Sequence, residues 1–239
     1  LDFAGGSVVH VNAGVAGLVC AWFLGPRKGY GQEPFEPYNL GLTMVGAGLL
    51  WVGWFGFNAG SAGAADGRAG LAMAVTHIAA ATGALGWMLA EWIVRRQPSL
   101  LGLCSGLVGG LVAITPAAGF VQPGAAAVIG LLAGLACYWG ATALKRLLGA
   151  DDSLDVFGVH GVGGIVGSLL TGVFVDKRVS GATGDVLTQA LAVGAVALYS
   201  AVATALVLVI VRAVLGLRVG EEAELVGLDL AEHREKLGA

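Results

Sequence analysis

The chain has 239 residues, of which 56% are hydrophobic and 12% charged, about half the charged share of an ordinary soluble domain. Its apolar runs are too long for a globular core, which excludes a soluble protein and points to an integral membrane protein. A formal net charge of −3 leaves no basic footprint for nucleic acid, and the three cysteines, Cys20, Cys104 and Cys137, sit singly in apolar runs as small packing residues, without metal-ligand spacing.

In chain order, seven segments approach or exceed the roughly 20 apolar residues that cross a bilayer as a helix: 4–24, 40–59, 69–94, 99–118, 124–144, 156–174 and 187–211. Short loops rich in Gly, Pro and charge separate them, among them GPRKGYGQEPFEPYN, RRQPS and VDKRVSGATGD. The expected fold class is therefore all-α, a polytopic transmembrane bundle forming one domain over 1–215, with a polar tail over 216–239. Arg27 with Lys28, Arg95 with Arg96, Lys145 with Arg146, and Arg212 with Arg218 recur at every second crossing. By the positive-inside rule those loops and the tail are cytoplasmic and the amino-terminal end is outside. The chain begins with Leu1, enters a span at once and lacks a signal-peptide layout; we expect it to be the carboxy-terminal portion of a longer protein.

Glycine is abundant, with 41 residues. Gly102, Gly106 and Gly110 form one GxxxGxxxG stripe and Gly130 with Gly134 another, each on a single helix face, as close interhelical crossing requires.

Two histidines fall inside spans: His10 in DFAGGSVVHVNAGVAGL and His160 in DVFGVHGVGGIVGSL. A polar group at membrane depth costs free energy and commonly lines a solute path, so transport is the leading functional class. The two segments resemble each other: Asp2, Gly5, His10, Gly14 and Gly17 answer to Asp155, Gly158, His160, Gly164 and Gly167, although the Asp-to-His distance differs. With opposite entry sides, this is the pattern of an inverted repeat, whose interface carries the solute path in many transporters. With Asp2 and Asp155 at opposite edges of a 30 Å core, axial arithmetic keeps the imidazoles about 10 Å apart. A histidine pair would instead require both aspartates to lie well inside the protein as satisfied caps. His77 has no repeat partner and reads as structural; His233 falls in the tail.

The run LLWVGWFGFNAGSAG carries Trp51, Trp54, Phe55, Phe57 and Ser61, a composition suited to an interfacial aromatic belt or to holding a small cation by ring faces and a hydroxyl. Enzyme readings fare worse. Ser61 lacks the nucleophile pattern and a placed base, and the Asp–His offsets do not match the i, i+4 ligand spacing of zinc helices.

DFAGGSVVH, GWFGFNAGSAG, EW, PSLLGLCSG, TPAAGF, DVFGVHGVGGIVG and GLRVGEEAELVGLD together resemble the ammonium transporter family (Amt, Mep and Rh proteins), most closely bacterial Amt channels, over essentially the whole chain. The resemblance implies an inverted-repeat bundle of eleven helices, of which this chain supplies spans five to eleven. It also implies a homotrimer with one pore per subunit, in a bacterial inner membrane. It carries roles onto matching positions: His10 and His160 as twin pore histidines, Asp2 as the buried aspartate supporting an outer ammonium site, Phe57 in a phenylalanine gate, and Ser61 as a vestibule hydroxyl. Leu50, Val108, Trp139 and Val156 would line or close the pore, while Asp155 stands as a structural cap. Ammonium or ammonia is the implied solute, a PII-type signal protein the implied partner of the tail, and no cofactor or enzymatic step is implied. Spans one to four would carry the outer aromatic cage and the second gate phenylalanine. A sensor that binds ammonium and signals through the tail is the alternative, and an Rh-type gas channel a nearer one.

Overall fold

Side-chain oxygens set the helix starts. Asn39 accepts from the Leu42 amide, Asp66 from Arg68 and Ala69, Ser99 from Gly102, and Asp185 from Leu187 and Thr188, each satisfying amides that a first helical turn leaves free. In the computed structural model, which describes residues 1–32 and 34–235, these starts delimit an all-helical chain: α1 Gly6–Leu24, α2 Leu40–Ala59, α3 Gly67–Arg95, α4 Leu100–Ile114, α5 Pro123–Leu147, α6 Phe157–Phe174, α7 Lys177–Ser180, α8 Val186–Val214, α9 Glu221–Val226 and α10 Leu228–His233.

Six of these helices are long and apolar enough to cross a membrane, and α4 is a shorter apolar helix of 15 residues. The expected span 99–118 therefore ends early. Pro116 has no amide proton, and the Thr115 amide turns to the Val112 carbonyl instead of continuing the helical ladder. Residues 115–119 follow as buried non-helical backbone, which is tolerated at membrane depth only inside protein. Their exposed-backbone problem is solved by α1's approach: the Phe3 and Ala4 amides donate to the Pro116 and Thr115 carbonyls at 3.0 and 3.2 Å.

The two glycine stripes meet α3. A Cβ on Gly106 or Gly110 would strike α3 at Trp87 or Ala79, and one on Gly130 or Gly134 would strike it at Ala79 or Gly83. Three helices are thus drawn together without intervening side chains, and Glu91, buried on α3, accepts from the Ser99 amide and hydroxyl at 2.7 and 2.9 Å to fix the α3–α4 corner. Across the bundle, α1 and α6 run antiparallel and cross where Gly14 lies against the backbone of Gly161 and Gly164 against Val11. Those two contacts are images of each other under the repeat, since His10, Val11 and Gly14 answer to His160, Gly161 and Gly164. α8 packs on α1 and α6 with an apolar outer surface that is almost wholly exposed, as a lipid-facing helix is. His77 is exposed on α3, its ring stacked 5.0 Å from Trp51 and 6.1 Å from Phe55.

One end of the bundle gathers the basic loops. Arg27 grips Asp151 through paired hydrogen bonds of 2.8 and 2.7 Å, and Trp22 donates to the Leu148 carbonyl. Lys145 pairs with Asp155. The tail docks here: Glu224 on α9, held by Arg218 of the tail itself at 2.7 Å, accepts from the Lys28 amide at 2.9 Å, while Lys28 reaches Glu221 at 2.9 Å.

The Gly14 crossing predicts that Gly14→Val lowers the thermal unfolding temperature in detergent, at a cost of about 1–3 kcal/mol, because the added atoms meet backbone that cannot rotate away. The docked tail has its own pH signature. The Arg218 hydrogen bond, with the Lys28 amide, holds the Glu224 carboxyl below its ordinary range. A depressed carboxyl contributes full stabilisation above its unfolded pKa and loses it as pH falls through the folded value. Limited proteolysis of the tail should therefore be slow at neutral pH and accelerate below about pH 4; a flat profile would show that these contacts do not hold it.

Candidate functional site

The site is built where the two repeat-related helices begin. α1 and α6 each open with a wide, π-helical turn, Gly6–Val11 and Phe157–Gly161, and each such turn carries a histidine, His10 or His160. π-Turns break the regular ladder and recur at functional positions.

An aspartate caps each turn. Asp2 accepts from the Gly6 and Ser7 amides, the latter at 3.0 Å. On the other helix the acceptor is Asp152, which is buried and takes the Val156 and Phe157 amides at 3.0 and 2.8 Å. The expected cap, Asp155, does not perform this role. It sits in the left-handed region at φ 54° with its carboxylate turned to Lys145. Burial keeps the Asp155 carboxyl above its usual range, opposed by that lysine. The correction also repairs the repeat, since Asp2 and Asp152 each stand eight residues before their histidine. The nearer Asp155 had hidden the match.

Asp152 is buried and Asp2 half-buried, and the separation of about 10 Å expected from edge-placed caps gives way to close approach. The imidazole centroids of His10 and His160 are 5.6 Å apart. Trp54 stacks on His10 at 5.1 Å with a 19° interplanar angle, and Phe57 tilts toward the same ring at 5.9 Å. The Nε2 of His10 lies 3.3 Å from the Thr115 hydroxyl, which also receives the Trp54 indole N–H at 2.9 Å. His160 is partly buried, and its Nδ1 has no hydrogen-bond partner among the described residues.

The other expected residues divide by location. Leu50 and Phe57 line an open apolar groove of about 450 Å³ with Gly46, Leu49, Gly53 and Trp54. Ser61 is exposed beyond it, its hydroxyl donating to the Phe57 carbonyl at 2.8 Å. Val108 packs between the Trp54–Leu107–Leu111 cluster and the Trp87–Cys137–Val159 cluster. Val156 packs against Gly17 of α1, whereas Trp139 is 48% exposed on α5. Beneath Phe57, fully buried Asn58 donates to Thr76 at 2.9 Å and so pins the π-turn Phe55–Ala59 to α3. Sequence reasoning had not singled out Thr115, Asp152 or the Trp54–Thr115 bond. An equal Asp–His spacing of eight would have exposed Asp152, and the Thr-Pro pair closing α4 was the one local sign of Thr115.

Six membrane-length helices, two of them antiparallel repeat partners carrying a histidine each, define a multi-pass membrane protein with an inverted-repeat core. The chain belongs to the Ammonium Transporter Family, whose model matches residues 1–237. It is 51% identical to an "Ammonium transporter" of Aquifex aeolicus over 99% of this chain and 56% of that protein, and 47% identical to the Bacillus subtilis "Ammonium transporter" over 99% and 60%. The fold is similar to the crystal structure of Saccharomyces cerevisiae Mep2, with a TM-score of 0.86 and 38% identity over 93% of this chain and 54% of that one. It is also similar to a solved "Sensor Amt Protein", with a TM-score of 0.90 and 31% identity over 97% and 60%. The chain thus spans little more than half the length of the curated relatives it matches.

Asp152→Ala should cost about 1–2 kcal/mol of stability by removing a helix cap and freeing two partly buried amides, and more than Asp155→Ala, which removes a partly exposed ion pair. Paired denaturation curves check this; equal losses would return the cap to Asp155.

Proposed function

We propose that the protein carries ammonium or ammonia across a membrane along a narrow apolar path whose central polar element is the His10–His160 pair. The observation that carries this reading is the 5.6 Å approach of the two imidazoles at the crossing of the repeat-related helices, beneath the rings of Trp54 and Phe57. Two ionisable rings inside an apolar bundle cost free energy, and such groups commonly line a solute path. Family membership and the relatives' names supply the solute.

The residues then divide the task. Ammonium is met on the outer side, where the Ser61 hydroxyl, already donating to the Phe57 carbonyl, keeps oxygen lone pairs for an N–H donor. Aromatic faces add cation–π attraction. Asp2 supports that end by fixing the start of α1. An ion cannot enter the apolar section cheaply, so NH4+ gives up one proton at the Phe57 gate and moves on as neutral NH3. Leu50, Val108, Val156 and Trp139 wall the path. Imidazole has one donor and one acceptor nitrogen, so the pair passes hydrogen bonds to the solute and relays the released proton, which rejoins NH3 on the inner side to restore NH4+.

The basic loops around Arg27, Lys28, Lys145 and Arg218 share the face on which the tail docks. By the positive-inside rule that face is cytoplasmic, in a bacterial inner membrane. Trimer assembly and a PII-type protein seated on the cytoplasmic face belong to the same reading. A second reading, an ammonium sensor with little flux, draws on the likeness to the "Sensor Amt Protein".

Ammonium pulses applied to proteoliposomes holding the protein as its gene encodes it should evoke a current, and His10→Ala or His160→Ala should lower it at least tenfold or admit other monovalent cations. Unchanged flux and selectivity in both variants would reject the histidine path. Silence from folded protein that still binds ammonium would favour the sensor.

A further inference from the structure

Thr115 is fully buried just past the end of α4, where its hydroxyl meets Trp54 of α2 and His10 of α1. Its hydroxyl has one proton and three neighbours: the Leu111 carbonyl at 2.8 Å, the Trp54 indole nitrogen at 2.9 Å and His10 Nε2 at 3.3 Å. The single proton decides how the three are served.

Trp54 Nε1 is a donor only, so it occupies one oxygen lone pair. The Leu111 carbonyl is buried, and its usual helical partner has been removed: the Thr115 amide bonds to Val112, and the next residue, Pro116, has no N–H. A buried carbonyl left without a donor is costly, so the hydroxyl proton goes to Leu111. What faces His10 is then the second lone pair, which accepts and cannot donate. For that contact to be a hydrogen bond, His10 Nε2 must carry the proton.

We infer that Thr115 is a positioning residue that locks neutral His10 as its Nε2–H tautomer and so gives the histidine pair a fixed hydrogen-bond direction. This rests on the transport reading only for its functional meaning. With Nε2 engaged, the free nitrogen of His10 is Nδ1, a bare acceptor. Any hydrogen bond between the two rings then runs from His160 as donor to His10 as acceptor. The buried Nδ1 of His160, which has no hydrogen-bond partner among the described residues, is the donor available for it across the 5.6 Å between the ring centroids. His160 Nε2 is left as the lone-pair nitrogen of the pair. The device uses the helix break at Thr115–Pro116, because a regular helix would supply Leu111 with an amide and release the hydroxyl to point either way. Trp54 enforces it twice, by claiming a lone pair and by stacking on the ring so that it cannot rotate.

Solid-state NMR of the intact protein in lipid bilayers, with 13C,15N-histidine and at about pH 8 so that imidazoles are neutral, reads the tautomer directly. The His10 signals are identified by their loss in His10→Gln. The expected result is a protonated Nε2 and bare Nδ1 for His10. In Thr115→Val, which keeps shape and removes the acceptor, His10 should redistribute toward Nδ1–H and ammonium-evoked current should fall about tenfold; Thr115→Ser should restore both. Nδ1–H at His10 in the unaltered protein, or an unchanged tautomer in Thr115→Val, would overturn the inference. Because the unaltered protein gives the deciding spectrum, instability of the valine variant does not blunt the test. The spectrum needs no flux, so a silent protein with Nε2–H at His10 defeats the transport reading alone, and a conducting one with Nδ1–H defeats this inference alone.

Discussion

The contact between α1 and α6 at Gly14 and Gly161 is the constraint on which the site depends. In lipid there is no hydrophobic force to press helices together, so close approach must come from surfaces without side chains. Here a glycine of one helix lies on the backbone of the other, and the repeat supplies the contact twice, as Gly14 on Gly161 and Gly164 on Val11. Only at that spacing do His10 and His160, one turn earlier on each helix, come within 5.6 Å. A bulkier residue at the crossing would leave two isolated imidazoles in an apolar bundle.

Bringing polar groups to that depth forces a full account of donors and acceptors. The wide first turns of α1 and α6 leave amides without helical partners, and Asp2 and Asp152 take them. The end of α4 leaves carbonyls free, and the Phe3 and Ala4 amides ahead of α1 and the Thr115 hydroxyl take those. Gln189 on α8 donates to the Leu1 carbonyl and to that of Ser168 on α6 at 2.7 and 3.0 Å, tying α8 to both. These bonds fix where each functional side chain begins. The same bonds fix orientation, because a capped turn has one direction in which its side chains can emerge.

Charge is handled separately, at the ends. Arg27 with Asp151, Lys145 with Asp155, and Lys28 and Arg218 with the tail carboxylates form one ionic face, while Arg68 at the other end rests over the Phe3 and Phe120 rings. The desolvated middle keeps hydrogen-bonding groups and rings, and the ionic pairs stay where water and headgroups can screen them. A tail bound through such pairs can respond to pH and salt without disturbing the packed crossing.

The sequence alone carried the seven apolar segments that the structure forms as helices, the membrane class and the family resemblance, because apolar run length is a local property written residue by residue. It also carried the glycine stripes, since 3.6-residue periodicity assigns a face without a partner being known. It did not carry which aspartate caps α6: Asp152 and Asp155 are both plausible by composition, and the choice falls to the left-handed turn at Asp155 that swings its carboxylate to Lys145. Nor could it shorten α4, dock the tail, or join Thr115 to His10 and Trp54, positions 105 and 61 residues away in the chain. Those outcomes were decided by tertiary structure, because a hydrogen bond between distant residues exists only after packing has set the distance between them.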